Sequence, residues 1–184
     1  LPGGVPYKVF LDPPDHTRLR RLLNRGFTSR AVNAMAPRIA EIVHETIDAV
    51  VGRTEIDFIR DLAYRIPAAV IMEMLGAERN EIEAFKLWSD DLGLFIGSSR
   101  VTADKYERAE AAMANLTGAF RDLVADRRRR PRADMISDLI RAEDAGEVLN
   151  ESELIATCVL LLFAGHETTG NLLGTGMYYL ARHP

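Results

Sequence analysis

No proline interrupts the chain between Asn150 and Arg182, and a helix start is written at the head of that stretch. Asn150 followed three residues later by Glu153 is the pattern of a capping box, in which side chain and backbone satisfy each other's orphan donors. The spacing predicts one helix over Glu151 to Arg182, about 32 residues and about 48 Å long at the helical rise. Its middle, Cys158 to Gly165, is apolar around much of its circumference, so it should pass through the centre of a domain. The remaining segments then have to pack round it. With no strand-rich block, internal repeat or low-complexity linker in the chain, the fold class is mainly α, helices around one long central helix.

That helix carries an anomaly. The run Leu160-Leu161-Leu162-Phe163-Ala164-Gly165-His166-Glu167-Thr168-Thr169 begins as core and then changes character. Glycine within a helix costs about 1 kcal/mol relative to alanine, so Gly165 predicts a close approach of something to the backbone. Thr168 is placed to bond back to the carbonyl of Ala164, four residues earlier, which bends a helix locally. Glu167 adds a proton-carrying group beside that distortion. Together they predict a notch lined by an acid and an alcohol. His166, between them, faces either the pocket or solvent.

Ahead of it, periodicity and punctuation predict further helices. Leu1 to Leu11 reads as a Pro/Gly loop with a short extended piece. Asp12-Pro13-Pro14-Asp15-His16 opens a helix reaching about Arg25, with Gly26 as its stop. His16 and Arg20 are four apart and share a face, as do Arg21 and Arg25. Such a stripe is either a solvated face or a set of donors aimed at an anion such as a carboxylate. Thr28-Ser29 caps a short turn, and Pro37 starts a helix reaching about Val51. Ile56 to Phe58 reads as brief and extended. A helix over about Leu62 to Leu75 ends at Gly76, with Pro67 as a kink or a break and Val70, Ile71, Met74 and Leu75 in the core. Asn80 opens a helix through Phe85, Trp88, Leu92 and Phe95 to the turn at Gly97-Ser98-Ser99. A long helix runs from about Thr102 to Arg129, with Met113, Leu116, Phe120, Leu123 and Val124 as its apolar face. Arg127-Arg128-Arg129-Arg130 reads as cations complementing the negative end of that helix rather than a polyanion site, and Pro131 stops it. A shorter helix spans about Ala133 to Glu143, and Asp144-Ala145-Gly146-Glu147 turns the chain.

Composition narrows the function classes. A formal net charge of −4 gives no general attraction to nucleic acid or to anionic membrane. The longest apolar run falls far short of the roughly 18 residues that span a bilayer. The first residues lack the charged start and apolar core of a leader peptide. The single cysteine, Cys158, excludes an internal disulfide and fits a reducing cytoplasm. His44 reads as a surface histidine among Glu41, Glu45 and Asp48, and no His/Cys/acid cluster has zinc spacing. The missing initiator methionine, and a stop directly after a helical pattern, read as a chain cut at both ends.

These motifs resemble the central portion of a cytochrome P450 of the soluble bacterial kind. Ala164-Gly165-His166-Glu167-Thr168-Thr169 matches that family's central-helix pattern, Ala/Gly-Gly-x-Asp/Glu-Thr-Thr. Asp12-Pro13-Pro14-Asp15-His16-Thr17-Arg18-Leu19-Arg20-Arg21 resembles the segment that begins its haem-propionate-binding helix, and Phe27-Thr28-Ser29-Arg30-Ala31-Val32 continues it. Ile66-Pro67-Ala68-Ala69-Val70-Ile71 with Leu75-Gly76 resembles a later helix. The resemblance runs in order over nearly all 184 residues. It implies a partial cytochrome P450 domain over 1–184, without the family's N-terminal β-rich part and its C-terminal cysteine-ligand part.

By that resemblance, His16 and Arg20 take the places of the pair that donates to the propionates of heme b. Ala164 and Gly165 take those where the central helix passes over the haem and leaves room for oxygen. Leu161, with Leu160 and Phe163, forms either distal-pocket wall or helix core. Thr168 matches the alcohol that helps hold dioxygen, and Glu167 the acid that relays protons from solvent. Splitting O–O heterolytically in an apolar cavity needs protons delivered without flooding it, which an acid and a hydroxyl can do. Phe95 is a further candidate to reach substrate. The implied activity is that of a haem-thiolate monooxygenase inserting one oxygen atom from O2 into an apolar organic substrate. Electrons would come from NAD(P)H through a ferredoxin or similar donor.

The family's axial cysteine sits in a Phe-x-x-Gly-x-x-x-Cys-x-Gly loop, which has no match here. Glu151 lies seven residues before Cys158, and Leu160 lies two after. No glutamate has an arginine three residues later, so the family's Glu-x-x-Arg pair is missing too. Both are expected beyond Pro184. The alternative reading is a non-catalytic helical fragment. It lacks the thiolate whose electron donation favours O–O cleavage, and it associates through exposed apolar surface.

Overall fold

In the computed structural model, which describes residues 11–97, 102–144 and 150–183 except for the side chains of 25, 26, 97, 143 and 144, every regular element is helical. The helices are α1 (Asp15–Gly26), α2 (Ser29–Ala34), α3 (Ala36–Asp48), α4 (Arg65–Leu75), α5 (Ile82–Gly97), α6 (Lys105–Arg129), α7 (Met135–Asp144) and α8 (Glu151–Arg182). A π-helical turn, Ile59–Ala63, precedes α4, and a 3-10 turn, Arg79–Glu81, precedes α5. The expected loop over Leu1 to Leu11, all but its last residue, lies outside the described residues. So do Ser98-Ser99, residues 145–147 of the turn before α8, and the Arg25 side chain.

Both α4 and α6 pack against α8, α5 lies along α6, and α7 touches α1, α4 and α6. Met72, Leu75, Leu116, Phe120, Leu154 and Leu162 are buried where these helices meet. The head of α8 forms as its sequence requires. Asn150 Oδ1 accepts from the Glu153 amide at 2.9 Å, and the Glu153 carboxylate accepts from the Asn150 amide at 3.0 Å. The same carboxylate meets Arg18 of α1 at 2.5 Å, so one acid both caps α8 and ties α1 to it. From Glu153 to Val159 α8 is fully buried, whereas the residues after Gly174 are largely exposed. The rod is central in its first half and forms an outer wall in its second.

Four local expectations change or are decided. Helix α3 ends at Asp48 rather than Val51 because the chain turns through Gly52 at φ 87°. Ile56 to Phe58 forms no strand. Asp57 and Asp61 accept from the amides of Arg60 and Asp57, respectively, and those side-chain acceptors start a helical turn instead. Pro67 does not kink its helix: the chain breaks at Tyr64, and Pro67 sits in the first turn of α4, where its missing amide costs no hydrogen bond.

The fourth change concerns Arg127, which is not solvated with its neighbours. It is 2% exposed, its Nε donates to Asp134 at 2.5 Å and its guanidinium also donates to the Gly76 carbonyl. Gly76 ends α4 at φ 84°, and Asp134 accepts from the Ser137 amide at 2.8 Å at the start of α7. One buried guanidinium therefore joins the ends of α4 and α6 to the start of α7.

Candidate functional site

The notch in α8 has the predicted local bond. Thr168 Oγ1 donates to the Ala164 carbonyl at 2.9 Å, and Thr169 Oγ1 to that of Gly165 at 3.4 Å. Ala164 and Thr168 lie on an exposed flank of the helix, with Leu161 one turn earlier and partly buried. The close approach at Gly165 comes from the other side. A Cβ there would stand 2.9 Å from Ile71 Cγ1, so the missing side chain lets α4 press on α8. Gly170 continues that seam against the Ala63 carbonyl, and Gly174 against Ile59. The glycines thus bring α4 and its preceding turn close, while the opposite flank stays open.

Beyond the notch, a groove of roughly 740 Å³ opens between α8, α5 and the chain ahead of α4. Glu167 lines it with Tyr64, Lys86, Asp90, His166 and Asn171. Glu167 is partly exposed, and Asn171 Nδ2 donates to its Oε1 at 3.4 Å. A carboxyl that opens on a solvent groove is able to pick protons up from it. His166 faces the groove wall rather than bulk solvent. It is 0% exposed, lies edge-on to Tyr64 with centroids 5.2 Å apart, and holds its Nδ1 2.6 Å from the Leu162 carbonyl. Burial, the largest influence, holds its pKa below the ordinary 6.5. Burial likewise pushes the Tyr64 phenol well above its usual range, helped by the carboxylates of Asp90, Glu83 and Glu167.

Sequence reasoning singled out Glu167 and Thr168 but not Tyr64, Lys86 and Asp90. Lys86 and Asp90 are visible as a pair four apart, joined at 2.6 Å, yet nothing in the sequence says that this pair faces α8. Leu160, Leu161 and Phe163 all pack partly buried against the core, and Phe163 lies against Gly93 of α5. Phe95 packs edge-on to Tyr106 of α6 at 5.7 Å.

On α1, His16 is half-buried and Arg20 exposed, one turn apart. Leu19, Leu22 and Leu23 fill the buried stripe, and Arg18 is spent on Glu153. Among the described residues, no side-chain hydrogen bond or ion pair occupies either His16 or Arg20. Two unengaged side-chain donors and an open flank of small side chains fit a planar cofactor carrying carboxylates. Cys158, by contrast, is fully buried within α8, and burial pushes its thiol up to about 12, against the thiolate form. Among the described residues no group of His, Cys, Asp and Glu is arranged to hold a metal ion, and no helix is long and apolar enough to cross a membrane.

The sequence pattern of the family described as Cytochrome P450 matches residues 7–184. The chain is 40% identical to a putative cytochrome P450, YjiB, of Bacillus subtilis, over 96% of this chain and 45% of that protein. It is 38% identical to the vitamin D(3) 25-hydroxylase of Pseudonocardia autotrophica, over 98% and 43% of the two chains. Among solved structures, the myxobacterial cytochrome P450 CYP267B1 in complex with myristic acid superposes with a TM-score of 0.89 at 39% identity. That match covers 97% of this chain and 43% of the other. The chain therefore spans less than half the length of the relatives it matches.

Proposed function

From a chain that belongs to the cytochrome P450 family, we propose the distal half of a monooxygenase that inserts one oxygen atom from O2 into an apolar organic substrate. The observation that carries this is the open Ala164–Thr168 flank of α8, with the carboxyl of the adjoining residue, Glu167, in a solvent groove. Heme b bound against that flank supplies iron-centred activation of dioxygen, with electrons from NAD(P)H through a ferredoxin-type donor.

The chain's own residues then bind, shield and move protons. His16 and Arg20 donate to the haem carboxylates, which is the charge-assisted pairing their spacing suits. Leu161 and Ala164 keep the flank apolar and low, while Gly165 lets α4 close up behind it. Thr168 spends its hydroxyl proton on the Ala164 carbonyl and so offers lone pairs toward the open side. It can accept a hydrogen bond there and turn to donate one. Glu167 takes protons from the groove and hands them to that hydroxyl. Cys158 takes no part, and the thiolate ligand comes from a residue outside these 184.

The test is the complete protein carrying these residues. Reduced and treated with carbon monoxide, it should show the thiolate-type Soret band, and a folded sample without haem would overturn the reading. Thr168→Ala should keep electron consumption while losing much of the product, measured as product formed per NAD(P)H oxidised. Unchanged coupling would remove Thr168 from the relay.

A further inference from the structure

Among the described residues that line the groove, His166 is fully enclosed and short of a partner. Its Nδ1 lies 2.6 Å from the Leu162 carbonyl, and a carbonyl only accepts, so Nδ1 carries the ring proton. The neutral ring then presents a bare lone pair at Nε2. That atom is out of contact with solvent and has no hydrogen-bond partner. Its near neighbour is Glu167 Oε2, 3.9 Å away. The other charged or titratable groups round the groove are Lys86 and Asp90 on α5, Asp57, Arg60 and Tyr64 ahead of α4, and Tyr178 and Tyr179 further along α8. Lys86 is committed to Asp90 at 2.6 Å and to the Tyr64 ring face at 4.3 Å. A buried acceptor left without a donor is costly, and an ionised carboxylate brings it only more lone pairs. A protonated carboxyl brings the missing donor, and rotation about the Glu167 side-chain bonds closes the gap.

Resting on the relay reading above, we infer that His166 is the positioning residue of that relay, its Nε2 accepting the hydrogen bond of the protonated Glu167 carboxyl. Glu167 then has two stations. In its acid form it docks on His166 beside the notch, and once ionised it turns to the Asn171 amide, which already lies 3.4 Å from Oε1. No covalent bond to a heavy atom changes in docking. The dock holds the acid oriented toward Thr168, the next residue along the helix.

Nitrogen-15 NMR on the complete resting protein, labelled at histidine, reads the dock without turnover. His166 should show the Nδ1-protonated tautomer. Its Nε2 resonance should move toward the hydrogen-bonded value in Glu167→Gln, whose amide N–H is a permanent donor, and toward a free lone pair in Glu167→Ala. An Nε2-protonated ring in the unmutated protein overturns the inference, and so does an Nε2 resonance indifferent to residue 167. In turnover, His166→Phe keeps the ring shape without the acceptor, and His166→Gln restores an acceptor oxygen. Product per NAD(P)H should fall several-fold in the first and recover in the second, with KM unchanged. Equal losses in both leave His166 a packing residue only. Coupling indifferent to Glu167→Gln instead sinks the relay reading itself, while the tautomer still judges the dock.

Discussion

At the scale of single residues, two glycines of the same helix have opposite prospects. An added methyl at Gly165 falls 2.9 Å from Ile71 Cγ1 and 3.2 Å from its Cβ. Ile71 is buried and β-branched, so it has no room to swing aside. Overpacking of about 1–3 kcal/mol then competes with the roughly 1 kcal/mol of helix propensity gained. Gly165→Ala should be destabilising, by up to about 2 kcal/mol. At Gly176 a methyl meets nothing within 4 Å, so Gly176→Ala should stabilise by about 1 kcal/mol. Urea unfolding midpoints compare the two directly. That Gly165 marks a close approach was legible from its cost alone. That the approaching group is Ile71 was not, because a distant helix makes the contact. The Thr168 bond to Ala164 was legible, since both partners lie within one turn.

Between elements, the buried Arg127–Asp134 pair is the most sensitive joint. Burial alone raises the Asp134 pKa, but hydrogen bonds from Arg127 and Ser137 outweigh it and hold that carboxyl below its ordinary 3.8. Removing one partner leaves a buried charge uncompensated, so Arg127→Met should cost about 3–5 kcal/mol, and adding Asp134→Asn should recover part of it. A thermodynamic double-mutant cycle measures the difference. At the other end of α7's neighbourhood, the hydrogen bond from Arg18 likewise holds Glu153 below its ordinary 4.5. Depressed carboxyls contribute stability that is full above their unfolded values and lost as pH falls through the folded ones. Stability should therefore decline as pH drops below 4.5, and the double variant should show a shallower decline. Within the Arg127–Arg130 run, the sequence does not distinguish the buried arginine from its exposed neighbours. Only the meeting of α4, α6 and α7 assigns Arg127 its partners.

For the molecule as a whole, local signals carried the fold a long way. The capping box, the Gly76 stop and the length of α8 were all written within a few residues of where they act. The groove was not: its walls come from α5, α8 and the chain before α4, and no short segment shows that Tyr64 and Lys86 come to the neighbouring His166 and Glu167.

The unequal burial of α8 has a consequence for how the chain opens. From Leu154 to Leu162 the helix is held by the core, whereas Leu172, Tyr178, Tyr179 and Leu180 are more than half exposed. Backbone amides are released to solvent by the cheapest opening available to them. Within one unbroken ladder of hydrogen bonds, deuterium uptake should therefore be graded, fast from about Leu172 onward and as slow as global unfolding near Cys158. Mass spectrometry of peptides from α8 would display that gradient, and uniform uptake along the helix would show instead that it opens as a single unit.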